Sequence, residues 1–444
     1  MTEPSPLKLI QANVFGVLDA YDHHIDFDAE EDYIIVYGPN GVGKTKTLEV
    51  IHALCRVDGR TLSNLPFVKA EIEFTDKYRI VAEVVEPDAS SELIFSLYAG
   101  RQPIVEWKYE EAAGANWLIE NTSWRPLENG LWQDRRDGEV LTYSELEGVY
   151  AADIAEFPDS EIPSELAEFK ERIPVHLIET QRLRAAAADN FRIRRNQPLR
   201  RRSNSPTPSR ITAQADLMKT FINRAQTSHS RITQQLDRTF PNRVLETSFE
   251  GAEVNDGDIR DKYNHQNEFR SRLGRVVSVP LDSEFSLPDR SLESWELRLL
   301  DLYLSDADKK LEPFGYLLRR IELLEDILNR RLLRKRVQAN ATDGIAVFDD
   351  LRGREIPLDA LSSGEQHEVI LMFDLLFTVP EGALVLIDEP EISLHVGWQL
   401  AFMPDIQQIA RLRDLRFIIA THSPQIINGE WDKALRLGPS DAEF

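Results

Sequence analysis

Tyr33-Ile34-Ile35-Val36-Tyr37-Gly38-Pro39-Asn40-Gly41-Val42-Gly43-Lys44-Thr45 is the stretch on which the fold turns. Five apolar or aromatic residues predict a strand, a Gly-rich run follows, and Leu48, Val50, Ile51 and Leu54 mark a helix beyond it. A strand, a glycine loop and a helix in that order form a phosphate-binding loop. Gly38, Asn40, Gly41 and Gly43 let backbone N–H groups converge on an anion, and the helix N-terminus adds partial positive charge. Lys44 reaches β- and γ-phosphates, the Thr45 hydroxyl suits Mg²⁺, and Thr47 is counted with the nucleotide contacts.

Working outward, residues 8–20 read as a strand, and 67–107 alternate in short β-like runs. The acidic, Trp-containing stretch 108–172 reads as irregular structure with short surface helices. RIRRNQPLRRRSNSPTPSR, ending at Arg210, is basic and Pro/Ser-rich and reads as a loop. Helical patterns follow, clearest over 315–337, where Leu317, Ile321, Leu324, Leu328 and Leu332 form one stripe that predicts core packing. From 345 the chain returns to strand, turn, strand, then alternates helix and strand, which implies a mainly parallel sheet covered on both faces.

Two further motifs fall in that last part. Ala383-Leu384-Val385-Leu386-Ile387-Asp388-Glu389-Pro390 is an apolar strand with two carboxylates at its end. Adjacent strand residues face opposite ways, so Asp388 is read as holding the Mg²⁺ shell and Glu389 as orienting the attacking water. Leu361-Ser362-Ser363-Gly364-Glu365-Gln366 opens a helix and is both an N-cap and an anion site.

With these residues in hand, the chain resembles the ABC ATPase superfamily. LSSGEQ is similar to its signature motif, which implies that Ser362, Ser363, Gly364 and Glu365 contact the γ-phosphate held by an opposite subunit. Gln181, in HLIETQRL, resembles the Q-loop glutamine that senses Mg²⁺ and the γ-phosphate. His422, in FIIATHSP, resembles the switch histidine and joins Glu389 and Lys44 as catalytic. DEPEISLH puts His395 where transporter ATPases carry an aspartate, and with ATHSPQIIN it resembles the soluble RecF/OLD-like ATPases. The resemblance implies an α/β fold: a mixed-sheet head with an antiparallel β subdomain, interrupted by a helical insertion with short coiled-coil-like helices. The expected lobes are 1–184, 185–340 and 341–444. It also implies ATP and Mg²⁺ as ligands, and an ATP-bridged pair of chains or a higher homo-oligomer.

Composition bounds the reading. At 444 residues the chain suggests two or three lobes. No run approaches the roughly 18 apolar residues of a membrane span, and no signal peptide is evident, so a cytoplasmic protein is expected. A single cysteine, Cys55, excludes an internal disulfide and fits apolar packing. The net charge of −23 argues against a protein that coats nucleic acid. It leaves open a local groove at Arg192, Arg194, Arg195, Arg200, Arg201 and Arg202. His23 and His24 read as surface residues in an early turn.

Among RecF/OLD-like proteins the chain is similar to the AriA-type ATPases of PARIS anti-phage systems, then to the PtuA-type ATPases of Septu systems. That likeness implies a separate TOPRIM-like nuclease effector held until infection by a phage-derived trigger. About twenty residues follow His422, so a fused TOPRIM domain is not expected. A RecF-like repair ATPase that clamps DNA is the alternative, and DNA binding stays open.

Overall fold

The computed structural model describes residues 7–27, 31–85, 92–109, 113–127, 131–136, 138–142, 146, 149–150, 162–179, 209–246, 255–277, 287–392 and 394–438. Gln181 and the Arg192–Arg202 group lie outside the described residues. In chain order the strands are β1 (Leu9–Val17), β2 (Tyr21–Asp26), β3 (Tyr33–Tyr37), β4 (Lys69–Phe74), β5 (Tyr78–Val85), β6 (Glu92–Ala99), β7 (Gln102–Tyr109), β8 (Trp124–Pro126), β9 (Leu131–Asp134) and β10 (Val140–Thr142). They continue as β11 (Val175–Glu179), β12 (Lys335–Asn340), β13 (Gly344–Asp349), β14 (Glu355–Ile356), β15 (Leu384–Asp388), β16 (Arg416–Thr421) and β17 (Ala434–Arg436).

The chain forms two compact units, Met1–Asn196 with Val379–Phe444, and Gln197–Thr378. The first is built on a five-stranded sheet in the order β11-β15-β16-β3-β17, parallel throughout. β15 and β16 are buried at every position, as parallel strands covered on both faces must be. A six-stranded antiparallel sheet runs β2-β1-β4-β5-β6-β7. Its strands alternate: in β4, Ala70, Ile72 and Phe74 are buried while Lys69, Glu71 and Glu73 are half-buried on the other face. One core joins both sheets through the Lys44–Cys55 helix, whose Leu48, Ile51 and Leu54 are fully buried among residues such as Ala12, Ile72, Leu386 and Ile418. Cys55 sits in that core, and burial pushes its thiol up to about 12, so it packs as a small apolar group.

The described residues of the stretch 108–172 are more ordered than its composition suggests. β10-β9-β8 form a small sheet, and Trp124, Trp132, Leu118 and Leu146 make a core of their own. Isolated tryptophans in an acidic stretch carry no periodicity, so this satellite is not legible before the strands pair.

The second unit contains three helices, Arg210–Glu246, Asp256–Val276 and Ser294–Arg331, with the β12-β13-β14 sheet and the Ser363–Phe373 helix. The stripe Leu317, Ile321, Leu324, Leu328 and Leu332 is buried, as expected of core packing. The helix that carries it starts and ends earlier than expected, spanning 294–331 rather than 315–337. Leu332 caps it, Arg334 turns with φ 56°, and Lys335 already pairs with Asp349. The units divide after 196 and 378, whereas the sequence suggested 184 and 340. Pairing of β12 with β13 spans position 340, and Gln214 of the Arg210–Glu246 helix donates to the Ile370 carbonyl at 3.1 Å and the Asp374 carboxylate at 2.8 Å. Segment 341–378 therefore folds with the helices. No helix among the described residues is long and apolar enough to cross a membrane.

Candidate functional site

The carboxyl ends of β3, β15 and β16 lie side by side, with Val36 opposite Ala420 and Ala420 opposite Asp388. That edge is where open α/β sheets bind ligands. Immediately beyond the three strands come Gly38, Glu389 and His422. The glycine loop bends closely over its surroundings: a Cβ at Gly38 would collide with the Leu437 carbonyl, and one at Gly43 with Val17. Gly43 also caps the Lys44–Cys55 helix in a left-handed conformation, φ 87°. Asn40 and Gly41 are exposed at the loop's crest.

Lys44 is only 5% exposed. Its Nζ donates to the carbonyls of Gly38 (3.0 Å) and Pro39 (3.1 Å), and stands 2.5 Å from His422 Nε2. Burial lowers the Lys44 pKa, against the pull of Glu389, Asp388 and Glu391. Burial, then the Lys44 cation, lowers that of His422, against Glu389 and Glu391. Both shifts favour the uncharged forms, and a neutral His422 ring nitrogen can accept a hydrogen bond from Lys44 at 2.5 Å. The Thr45 hydroxyl donates to Asp388 Oδ2 at 2.9 Å. Glu389 has a left-handed backbone, φ 46°, its N–H bound to the Ala420 carbonyl at 2.8 Å. At this turn the Glu389 Oε1 lies 3.7 Å from His422 Nε2. One hydroxyl and one buried carboxylate make an all-oxygen donor set, which fits Mg²⁺.

Thr47 faces inward. It is buried, and its hydroxyl donates to the Gly43 carbonyl at 3.0 Å and lies 2.7 Å from His23 Nδ1. This corrects the surface reading of His23, which is 1% exposed on β2, while His24 is exposed beside Asn13. Strand alternation sends consecutive histidines to opposite faces. Glu391 is a site residue that sequence reasoning missed: its carboxylate accepts the His422 N–H at 2.7 Å. The third acid of Asp388-Glu389-Pro390-Glu391 was the available signal. Ser423, next to His422, donates to Gln399 at 2.8 Å, which ties the segment after β16 to the Val396–Arg413 helix. His395 caps that helix, accepting from the Gly397 N–H at 3.2 Å.

In the second unit, Ser362 and Glu365 form a capping box at the start of the Ser363–Phe373 helix. Glu365 accepts from the Ser362 N–H and hydroxyl, each at 2.9 Å, and from Lys335 at 2.5 Å. Burial opposes its ionisation, but Lys335 and Ser362 outweigh this and lower its pKa. Ser362 and Glu365 thus satisfy each other, while exposed Ser363 and neighbouring Gly364 hold the first open N–H groups of the helix. Behind them, buried Glu368 pairs with buried Arg331.

Residues 222–428 match the protein family described as "AAA domain, putative AbiEii toxin, Type IV TA system". That range takes in 361–366, Asp388, Glu389 and His422 and begins after the glycine loop. No curated protein matches the chain. Among solved structures, the chain is similar to the Smc head domain with an extended coiled coil bound to the C-terminal domain of ScpA from Pyrococcus furiosus. The identity is 13% over 95% of this chain and 91% of that one, with a TM-score of 0.36. The SMC head domain from Thermotoga maritima is 12% identical over 97% of this chain and 93% of that one, with a TM-score of 0.34. The AAA-domain match takes in the acids at the sheet edge and stands beside the glycine loop, in keeping with a nucleotide-binding ATPase domain.

Proposed function

We propose that the chain is a soluble, cytoplasmic ABC-type ATPase that closes two copies of itself around ATP and uses hydrolysis to set the state of a separate effector. The observation that carries this reading is the meeting of Lys44, Thr45, Asp388, Glu389 and His422 at the ends of three neighbouring parallel strands. An incoming γ-phosphate takes the place of His422 beside Lys44. That leaves the imidazole free to follow the phosphate, and Glu389 holds the water that attacks it. Thr45 and Asp388, with Gln181, are the residues that would hold Mg²⁺, which supplies charge neutralisation on the phosphate oxygens when bound. Ser363 and Gly364 offer N–H groups to the γ-phosphate of the opposite copy, and Ser362 and Glu365 keep that helix end in shape.

The test is sedimentation of the Glu389→Gln chain. Pairing with ATP and dissociation with ADP is the expected result; an identical mass with both nucleotides rules out the ATP-bridged pair. For the effector, the finer likeness is to AriA-type ATPases of PARIS systems. The matching family's description names a toxin of a toxin–antitoxin system, which is in keeping with an ATPase tied to a toxic partner. A TOPRIM-like protein that co-purifies with the ATP-bound form and leaves on hydrolysis is expected. The arginines at 192–202 favour a second reading, a DNA clamp. Micromolar or tighter duplex binding with a steep salt dependence would favour it.

A further inference from the structure

The buried His23 has no part in the chemistry above. It lies on β2 with its ring stacked on Tyr21, centroids 6.2 Å apart and planes at 14°. Its Nδ1 is 2.7 Å from the Thr47 hydroxyl, three residues into the helix that follows the glycine loop. That hydroxyl has one proton and donates it to the Gly43 carbonyl at 3.0 Å. The 2.7 Å contact therefore needs its proton from the imidazole, which places hydrogen on Nδ1. Nε2 is buried and meets no hydrogen-bond partner among the described residues. A proton on Nε2 would be a buried donor without an acceptor, and a doubly protonated ring would add charge near Lys44. Neutral His23 with hydrogen on Nδ1 is the form the site accepts, although a histidine side chain in water prefers hydrogen on Nε2.

The contact matters because of what lies at its other end. The Gly43 carbonyl accepts both the Thr47 N–H, at 2.8 Å, and the Thr47 hydroxyl. Gly43 is left-handed, packed against Val17, and immediately precedes Lys44. We infer that His23 is a positioning residue for the phosphate loop: through the Thr47 hydroxyl it fixes the Gly43 peptide, and so the direction in which the loop's N–H groups point. The inference rests on the ATPase reading for its consequence, and on this chain's own hydrogen bonds for its geometry. Tyr21 stacks on the ring, and the charges of Asp22 and His24, on the other face of its strand, and of Lys44 on the helix act on it. Burial lowers its pKa, Asp22 works the other way, and His24 and Lys44 reinforce the burial.

Two measurements test it on the full-length protein. Long-range ¹H–¹⁵N spectra of histidine-labelled wild type should show His23 neutral, with hydrogen on Nδ1, throughout the neutral pH range; Thr47→Val should shift that signature. A wild-type ring with hydrogen on Nε2 overturns the inference. In ATP turnover, His23→Leu should raise KM about tenfold, or about 1.4 kcal/mol, with kcat within about twofold. His23→Asn, whose amide can place an N–H where Nδ1 stood, should recover most of that loss. Adding His23→Leu to Thr47→Val should cost no more than Thr47→Val alone, because without the hydroxyl the imidazole has nothing to act on. An Asn variant as defective as Leu, or additive losses in the double variant, also overturns it. Absence of ATP binding by wild type would instead overturn the ATPase reading, and the spectra would then decide the His23–Thr47 contact by themselves.

Discussion

Two helix N-termini invite comparison, the one at Lys44 and the one at Ser363. Both present unpaired N–H groups behind small residues, the arrangement that favours an anion. At Lys44 the start is surrounded by a buried cation, three carboxylates and an imidazole, with no side-chain cap on the helix. At Ser363 the start is exposed and capped by its own Ser362 and Glu365, and the nearby ionic groups are already paired with one another. In the proposed function the first end binds phosphate and acts on it, and the second recognises it. If both serve one nucleotide, reactivity belongs to the first end and completion of the site to the second, and variants at the two ends should fail differently.

The largest effect belongs to Glu389. Glu389→Gln should lower phosphate release by about 10²–10⁴-fold while ATP stays bound, since only the water-orienting carboxylate is lost. Lys44→Ala should instead lose ATP itself in equilibrium binding. A Glu389→Gln chain that keeps a tenth or more of wild-type turnover would break the comparison at its first term.

At the other end, Gly364→Asp places a carboxylate where an anion would sit. Turnover should drop at least about tenfold by like-charge repulsion, with ATP binding to the chain unchanged. Mixing this variant with Lys44→Ala sharpens the point. A mixed pair has one site with an intact glycine loop from one copy and an intact signature from the other, so roughly a quarter of wild-type turnover should return. No recovery on mixing would mean that the 361–366 segment does not act across copies.

How much of this was legible differs between the two ends in the same way. Gly38 to Thr45, Asp388-Glu389 and His422 were readable because they sit at the ends of short apolar strands, where local pattern and chemistry coincide. The architecture followed from them, since buried β15 and β16 announce a covered parallel sheet. His23 was not readable: period-2 alternation allows either histidine of the pair to face inward, and only the pairing of β1 with β2 decides it. Nor was the inward Thr47, which shares a motif with outward Thr45 but lies about half a helical turn further on. The end of the long helix was misjudged because the leucine stripe runs past Arg331 to Leu332, while Arg334 alone turns the chain into β12.

The scaffold behind the signature end gives a smaller effect, on stability rather than turnover. Arg331 and Glu368 are both buried and pair with each other. Arg331→Met strands the carboxylate and should cost about 3–5 kcal/mol, whereas Arg331→Met with Glu368→Leu should recover most of it. Urea unfolding followed by hydrogen exchange in the 363–373 helix is the measurement. Lys335→Met, which breaks the more accessible ion pair with Glu365, should cost about 1 kcal/mol. Equal losses from Arg331→Met and Lys335→Met would show that burial does not set the worth of these pairs.

The smallest effect separates the two ends by pH. On the helix that follows the glycine loop, burial, reinforced by Arg56 and His176, lowers His52 from 6.5 to about 4. A depressed folded pKa means that the unfolded chain binds the proton more readily. His52 therefore contributes stability that is full above pH 6.5 and falls away as pH drops towards about 4, at no more than about 1.4 kcal/mol per unit. His23 and His422 are shifted the same way. In the second unit, Glu365 is lowered and Glu325 raised, so the two oppose each other. Between pH 6.5 and about 5 the 44–55 helix should thus lose protection from hydrogen exchange, corrected for intrinsic rates, before the 363–373 helix does. His52→Gln should flatten that loss. If it leaves the pH dependence of the 44–55 helix unchanged, the acid sensitivity of the phosphate-binding end does not come from His52.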